Sequence, residues 1–294
     1  MDMNNETKLI LLGTGTPNAD PDRSGASVAV VVGDNSYIVD FGPGVVRQAA
    51  KAYKKGVHAL LAKNLKTAFL THLHSDHTTG YPDLIFTPWV LEKEEPLKVF
   101  GPKGLKSMTE HILAAYKMDI DERVYGLEPA NKNGWKVDVT EIESGVIFED
   151  EKVTVEAFPV KHGAFEAYAY KFHTPDKTIV ISGDTAPVDI MVEIAKGCDI
   201  LVHEVYHFEG FKSRTEEWRK YHSSVHTSSY ELGEIAQKAK PKLVVLYHQL
   251  YMMNMQSEDE NLSNEIALRD KELVEEVKSK FSGNVVSGKD LDIF

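Results

Sequence analysis

The segment Thr71-His72-Leu73-His74-Ser75-Asp76-His77 places three imidazoles and one carboxylate directly after residues 66–70, a short run that ends in Ala68, Phe69 and Leu70. That run is typical of the end of a buried strand. Side chains two positions apart in an extended chain point the same way, so His72 and His74 can reach one point. Imidazole and carboxylate ligands without a thiolate suit Zn, Mn or Fe. The pattern therefore predicts a strand that ends in a metal-binding turn; the alternative is a polar loop whose histidines cap backbone groups.

The pattern H-x-H-x-D-H at residues 72–77 resembles the signature of the metallo-β-lactamase superfamily of hydrolases. Further matches follow in the order typical of that superfamily, so the resemblance extends over roughly residues 8–290. These matches are V-K-H-G at 160–163, S-G-D-T at 182–185, L-V-H-E at 201–204 and L-Y-H at 246–248. The resemblance implies an α/β fold, the metallo-β-lactamase-type four-layer αββα sandwich, with a metal centre at the strand ends.

Two segments near the amino end are most similar to the ribonuclease Z and arylsulfatase-like branch of this superfamily. They are L-G-T-G-T-P at 12–17 and V-D-F-G-P-G at 39–44. Lactamases proper are more distant, since one common type has a cysteine at the position of Asp184. A chain of 294 residues can form one large domain. We interpret residues 1–294 as a single hydrolase domain in which, as in similar proteins, residues 81–160 shape the substrate pocket.

Composition limits the partners and the compartment. The 33 Lys and Arg against 45 Asp and Glu give a formal charge of −12, which disfavours nucleic acid because phosphates attract basic surfaces. A local basic patch remains compatible with that total. The single cysteine, Cys198, cannot form an intrachain disulfide, and its position before an apolar run predicts a small buried side chain. The apolar run at 9–12 is too short for a signal peptide, and no stretch approaches membrane-spanning length, so we expect a cytoplasmic protein without membrane contact.

Apolar periodicity and turn residues predict the order of helices and strands. Strands are predicted at 8–12, 27–32, 37–40, 66–70, 98–100, 153–160, 167–172, 178–182, 200–203, 243–247 and 285–294. Helices are predicted at 44–55, 105–118, 228–240 and 261–281.

The resemblance also implies a ligand set for two divalent metal ions, with zinc favoured and manganese or iron as alternatives. His72, His74 and His162 would bind one ion, Asp76, His77 and His248 would bind the other, and Asp184 would bridge both. The sequence supports the three downstream residues separately, because each follows an apolar strand-like run. Residues at strand ends gather at one edge of a sheet, where active sites form. As lone residues, any of the three would more often be hydrogen-bonded structural groups.

Two metal ions about 3.5 Å apart make water a nucleophile near neutral pH and stabilise charge on the attacked group. Asp76 would then serve as both ligand and proton acceptor; a purely supporting role outside the coordination sphere is the alternative. Resemblance to the ribonuclease Z-like branch further implies that His226 assists the transition state or leaving group and that Glu204 orients it. A buried ion pair is the alternative for Glu204. Asp40 is expected to hydrogen-bond the backbone of the metal-binding turn, and His203 to orient a ligand.

These features predict a dinuclear metal-dependent hydrolase of a small ester, with phosphodiesters ahead of sulfate esters. A transfer-RNA 3′ processing endonuclease is the second hypothesis; ribonuclease Z proper has an RNA-gripping arm between the positions of His162 and Asp184, where this chain has only 21 residues. A lactam or lactone hydrolase and a non-catalytic metal-binding scaffold are two further hypotheses. The retention of all seven candidate ligands disfavours the scaffold. A homodimer is expected from the resemblance alone.

Overall fold

The computed structural model describes residues 6–254 and 262–294, which form two compact units. Unit 1 consists of residues 6–13, 23–143 and 290–294, and unit 2 of residues 14–22, 144–254 and 262–289. The main boundary falls between residues 143 and 144, close to the middle of the chain. No change of composition in the sequence marks this boundary. The interpretation as a single domain stays a prediction.

Unit 1 contains a mixed six-stranded sheet in which the strands follow one another in chain order. The first three strands pair antiparallel, and the third to sixth pair in parallel. The strands are β1 (Thr7–Gly13), β2 (Ser27–Val32), β3 (Asn35–Val39), β4 (Thr67–Phe69), β5 (Leu97–Gly101) and β6 (Val137–Glu141). β2 is buried along its whole length, as expected for a run of Val and Ala covered on both faces.

Five helices accompany this sheet: α1 (Val45–Lys54), α2 (Ser75–Thr78), α3 (Tyr81–Val90), α4 (Leu105–Ala115) and α5 (Lys117–Tyr125). In α1, Val45, Val46, Ala49 and Ala52 recur at helical spacing and are buried in the core of unit 1. The helix predicted at 105–118 is divided into α4 and α5, because Tyr116 takes a non-helical conformation between them.

Unit 2 contains a mixed seven-stranded sheet of order β13-β12-β11-β10-β9-β8-β7. The strands are β7 (Gly145–Glu149), β8 (Thr154–His162), β9 (Phe165–His173), β10 (Thr178–Ile181), β11 (Ile200–Tyr206), β12 (Leu243–Leu250) and β13 (Asn284–Ser287). β7 to β10 pair antiparallel and β10 to β13 pair in parallel. Unit 2 thus repeats the succession of unit 1, antiparallel strands first and parallel strands last.

The helices of unit 2 are α6 (Asp189–Ile194), α7 (Phe208–Lys212), α8 (Glu216–Val225), α9 (Ser229–Ala239) and α10 (Leu262–Lys278). α9 begins with a capping box, in which the Ser228 side chain accepts from the Glu231 backbone and the Glu231 side chain accepts from the Ser228 backbone. Cys198 is buried in the core of this unit, as predicted, and burial raises the pKa of its thiol to about 12.

The carboxyl end of the chain differs from the prediction of one strand at 285–294. β13 has only four residues, and residues 290–294 belong to unit 1, where Leu9 and Phe294 exchange two backbone hydrogen bonds of 2.9 Å. The turn-type residues Gly288-Lys289-Asp290, which separate Val285-Val286 from Ile293-Phe294, are the sequence signal for this break. Asn261, the first residue of the helix predicted at 261–281, lies outside the described residues. Within residues 6–254 and 262–294, no helix has the length and apolar character needed to span a membrane.

Candidate functional site

In unit 1 the structure gathers the candidate ligands of the turn that follows β4. His72 and His77 are fully buried, and their rings lie 4.2 Å apart between centroids. Nε2 of His72 lies 3.0 Å from Nδ1 of His74, and Nε2 of His77 lies 3.5 Å from Oδ2 of Asp76. Two ligand nitrogens this close can both reach one ion at the usual bond length of about 2.0–2.1 Å. The turn therefore brings its four predicted ligands into one cluster, in which His72 and His77 are buried and His74 and Asp76 are partly exposed.

Asp40, which follows β3, accepts hydrogen bonds from two residues of this turn, Thr71 and His77. Its Oδ1 accepts from the backbone N–H of Thr71 at 2.7 Å, and its Oδ2 accepts from the Thr71 hydroxyl at 2.9 Å and from His77 Nδ1 at 2.8 Å. Asp40 takes a left-handed conformation with φ +60°, which aspartate adopts more readily than most residues. The predicted hydrogen bond between Asp40 and the turn's backbone is confirmed.

In His72 and His77, a hydrogen bond from Nδ1 determines which ring nitrogen can bind a metal. His77 donates from Nδ1 to Asp40, and His72 donates from Nδ1 to the Thr71 hydroxyl at 3.0 Å. In both rings Nε2 is then the nitrogen with an available lone pair, as in metal-binding histidines whose other nitrogen donates to a carboxylate or another oxygen. The sequence analysis assigned no role to Thr71. The structure shows that this threonine is fully buried and that its hydroxyl contacts Nδ1 of His72.

Replacing Asp40 by Asn is expected to weaken metal binding about 10- to 100-fold, because Asn has one acceptor oxygen where Asp40 uses two, one for the Thr71 backbone N–H and the other for His77. Competition with a fluorescent chelator measures the change. Asp34→Asn, an exposed position in the turn between β2 and β3, is the matched control and should leave affinity unchanged. Equal affinity of Asp40→Asn and the unsubstituted protein would show that Asp40 supports only the fold.

In unit 2, the candidate ligands lie where the strands of one sheet end. Asp184 follows β10, His248 lies in β12, and His162 ends β8. β8 and β10 both run antiparallel to β9, and β10 to β12 are parallel neighbours, so these ends share one edge of the sheet. Nε2 of His248 lies 3.5 Å from Oδ2 of Asp184. All three residues are at most 2% exposed.

His248 occupies an irregularity in the parallel pairing of β11 with β12. Glu204 pairs with Tyr247 and Val205 with Gln249, so His248 is one extra residue, and its φ is +45°. An extra residue changes the direction in which a side chain points from a strand. A non-glycine residue with this conformation commonly marks a functional position rather than a favoured local geometry. The bulge is the local reason that the His248 ring lies beside the Asp184 carboxylate.

His162 is held by the segment that ends α8. Its Nδ1 donates to the carbonyl oxygen of Val225 at 2.7 Å, which again leaves Nε2 as the nitrogen with a lone pair. Burial lowers the pKa of His162, an effect that the Asp184 carboxylate partly offsets. The neutral imidazole, which is the form that binds metals, is therefore favoured at neutral pH.

Glu204 and His226 form a buried pair in unit 2. Nδ1 of His226 lies 3.3 Å from Oε1 of Glu204, which also accepts from the backbone N–H groups of Thr227 at 3.0 Å and Thr185 at 3.2 Å. Glu204 is fully buried. His226 Nδ1 lies 3.9 Å from Asp184 Oδ2, so this pair adjoins the candidate ligands. Sequence reasoning missed Thr185 and Thr227, which fix the carboxylate through backbone atoms that no side-chain pattern reveals.

The structure thus brings His72, His74, Asp76 and His77 together in unit 1. In unit 2 the ligand atoms of His162, Asp184 and His226 lie within 4.8 Å of one another, as do those of Glu204, His226 and His248. His203, predicted to orient a ligand, is buried and hydrogen-bonds from Nδ1 to the Glu204 carbonyl at 2.7 Å. The assignment of all these residues to one dinuclear centre stays a prediction.

Comparison with known proteins first defines the class. A family model described as "Beta-lactamase superfamily domain" matches residues 35–249. The structure resembles the metallo-β-lactamase fold protein YhfI of Bacillus subtilis, with a TM-score of 0.71, 18% identity and 98% of each chain covered. It also resembles human tRNase Z, short form, with a TM-score of 0.69, 20% identity and 98% of each chain covered. The predicted metallo-β-lactamase-type α/β fold is confirmed, and the chain is a metal-dependent hydrolase.

Sequence comparison narrows the class further. Ribonuclease Z of Mycobacterium sp. (strain KMS) is 33% identical over 250 residues, which cover 83% of this chain and 84% of the relative. The chain belongs to the β-lactamase superfamily, within its ribonuclease Z branch. The predicted branch is therefore confirmed, and a non-catalytic scaffold is disfavoured.

Proposed function

We propose that this chain is a ribonuclease Z-type endonuclease that removes the 3′ trailer of precursor transfer RNA. The observation that carries the proposal is the 33% identity to a relative named ribonuclease Z over most of both chains. The aligned segment covers 83% of this chain and 84% of the relative, so the similarity extends over most of each sequence.

The donor set fits two divalent metal ions, and zinc is the first candidate because the ligands are imidazoles and carboxylates in buried positions. His72, His74 and His162 would hold one ion, Asp76, His77 and His248 the other, and Asp184 would bridge. In His72, His77 and His162 the Nδ1 hydrogen bond leaves Nε2 for the metal. When bound, the ions supply a water nucleophile at neutral pH and stabilise charge on the phosphate.

The remaining roles fall to side chains that hold or move protons. Asp76 would accept a proton from the attacking water. His226, donating from Nδ1 to Glu204, would present Nε2 to the substrate and give a proton to the 3′ oxygen that leaves phosphorus. Glu204 would stabilise the imidazolium form of His226, since the carboxylate is fixed by two backbone N–H groups.

A small phosphodiester is the second candidate substrate, and one observation favours it. Residues 163–183 form β9, β10 and short turns, with no arm between the candidate ligands His162 and Asp184. The formal charge of −12 points the same way. The short segment lacks an arm that could bind RNA, and the negative charge disfavours binding of RNA phosphates. Neither observation affects the candidate ligands, so we give the sequence identity to ribonuclease Z more weight in choosing the substrate.

The test is incubation of the metal-loaded protein with 3′-extended precursor transfer RNA. We expect one cut after the discriminator nucleotide, loss of that cut after treatment with EDTA, and recovery when Zn²⁺ or Mn²⁺ is restored. Product mapping on a sequencing gel measures the position of the cut. Turnover of bis-para-nitrophenyl phosphate without any cut in the precursor would overturn the proposal in favour of the small phosphodiester. Turnover that persists without metal would contradict both candidates.

A further inference from the structure

α8 carries a run of aromatic rings that leads from solvent to His226. Trp218, Tyr221 and His222, which we call the α8 aromatic surface, lie at i, i+3 and i+4 and therefore on one face of the helix. Ring centroids are 5.8 Å apart for Trp218 and Tyr221, and 5.4 Å apart for Trp218 and His222. His222 and His226 are 6.1 Å apart between ring centroids, with their planes inclined by 31°.

Packing within the chain covers only part of this surface. Trp218 is 50% exposed and Tyr221 is 44% exposed, whereas Trp89, in the core of unit 1, is 2% exposed. The other exposed positions of α8 are charged or small and polar. A large apolar ring half in water on an otherwise polar helix commonly marks a binding surface.

A cavity of about 450 Å³ adjoins Trp218, within the usual range of ligand sites. Arg214, Met252 and Asn254 are among the other residues that line it. The guanidinium carbon of Arg214 lies 5.7 Å from the Trp218 ring centroid. Nε of Arg214 is buried and has no hydrogen-bond partner among residues 6–254 and 262–294. The cavity thus combines an aromatic ring, that of Trp218, with one planar cation, the Arg214 guanidinium.

The start of α8 fixes the position of this surface. Thr215 caps the helix, and its hydroxyl accepts from the backbone N–H of Trp218 at 3.5 Å. Two acidic residues, Glu216 and Glu217, offset two basic ones, Arg219 and Lys220, so the helix carries no net charge from these side chains. These four side chains therefore add no net attraction to phosphates, and Arg214 is the one cation among the described residues that line the cavity. Stacking on flat rings is the other attraction that this surface offers, and every nucleobase has a suitable face.

We propose that Trp218, with Arg214 and Tyr221, binds an unpaired base of the RNA substrate next to the phosphate that His226 serves. The proposal rests on the proposed function for the nature of the substrate. Stacking of a base on Trp218 would hold single-stranded RNA without a basic surface and without an RNA-binding arm between His162 and Asp184. Ring contacts continue from Trp218 through His222 to His226, so a base stacked on Trp218 lies close to the proposed proton donor.

The test compares two fluorescein-labelled six-nucleotide phosphorothioate strands, one of uridylates and one abasic, by anisotropy with the metal-loaded protein. We expect tighter binding of the uridylate strand. Trp218→Leu, which keeps an apolar side chain but removes the π face, should raise its Kd about 5- to 150-fold. Trp218→Phe should stay within about threefold, because the ring remains. Equal binding of both strands by the unsubstituted protein would overturn the proposal, as would Trp218→Leu without effect.

Tyr125→Ala is the matched control, since Tyr125 is an exposed aromatic residue on α5 in unit 1. It should leave the Kd for both strands unchanged, and an equal loss would show that binding to exposed rings is nonspecific. Because Trp218 is half-exposed, the melting temperature of Trp218→Leu should stay close to that of Tyr125→Ala.

Cleavage of precursor transfer RNA separates this proposal from the proposed function. If the unsubstituted protein makes the cut, Trp218→Leu should raise KM by the same factor and leave kcat within about twofold. If the protein cuts precursor transfer RNA and Trp218→Leu has an unchanged KM, Trp218 does not stack on the substrate, whereas the proposed endonuclease activity stands. If the protein binds the uridylate strand more tightly but makes no cut, the endonuclease proposal is wrong, whereas the stacking proposal stands.

Discussion

Replacing Asp184 by Asn is expected to lower phosphodiester hydrolysis more than about 10³-fold and to reduce the bound metal. The Asp184 carboxylate is buried, with Oδ2 3.5 Å from His248 Nε2 and 3.9 Å from His226 Nδ1. An amide keeps the shape and removes the negative charge that would offset two cations. Metal analysis by plasma mass spectrometry and initial rates on precursor transfer RNA measure the two effects.

Asp176→Asn is the matched control for this substitution. Asp176 is exposed in the turn between β9 and β10, so the same chemical change there should leave both metal content and rate unaltered. An Asp184→Asn protein that keeps two equivalents of metal and more than about a tenth of the rate would refute the bridging role. Loss of metal in both variants would indicate instead that unit 2 tolerates no change of charge near β10.

Replacing His226 by Ala is expected to lower kcat by roughly a few hundredfold while metal content stays at the level of the unsubstituted protein. The reason is that His226 pairs with Glu204 at 3.3 Å and has no place in the proposed ligand set. Glu204→Gln should give a smaller loss, about 10-fold, since the amide can still accept from His226 but carries no charge to stabilise its imidazolium form.

His173→Ala serves as the control because it also removes an imidazole that pairs with a carboxylate. Nε2 of His173 lies 2.7 Å from Oε1 of Glu156, and the His173 side chain is 42% exposed. Its removal should change kcat less than about twofold, as expected for a surface ion pair. Unchanged kcat in His226→Ala would remove His226 from the chemistry and leave it as a structural neighbour of Glu204.

The bounds of several strands were predictable, because the apolar pattern that identifies a buried strand also shows where the strand begins and ends. β2 agrees with its prediction at both ends, and β4, β10 and β12 begin within one residue of theirs. Imidazoles or carboxylates follow or end several of these runs, so within each sheet their gathering at one edge follows from the pairing of the strands. Asp40 was predictable for the same reason, since it directly follows β3.

Short helices and irregular backbone were not predictable from periodicity. α2 and α7 have four and five residues, too few to establish a helical repeat. Tyr116 interrupts a helix without any glycine or proline to mark the break. The supports of Glu204 and His162 are backbone atoms of Thr185, Thr227 and Val225, which any residue type could supply. Such contacts depend on tertiary structure and leave no trace in a single sequence.

Net charge received more weight in predicting the substrate than it deserves. The value of −12 describes the whole chain, whereas a substrate meets one local surface. Relatives named ribonuclease Z point towards RNA, which the charge alone disfavoured. The α8 aromatic surface, with Arg214 beside it, offers an acidic protein a contact with RNA that needs stacking rings and one arginine rather than an extended basic surface.

His248 is the extra residue in β12: the pairing of β11 with β12 does not require it, whereas the proposed metal site does. Deleting one codon, that of His248, would leave Tyr247 and Gln249 consecutive and still able to pair with Glu204 and Val205, as they do now. The resulting protein would keep an uninterrupted sheet and would lose a proposed ligand. A single in-frame deletion is thus a short evolutionary route from a hydrolase to a stable descendant without activity, and inserting one histidine is the reverse route.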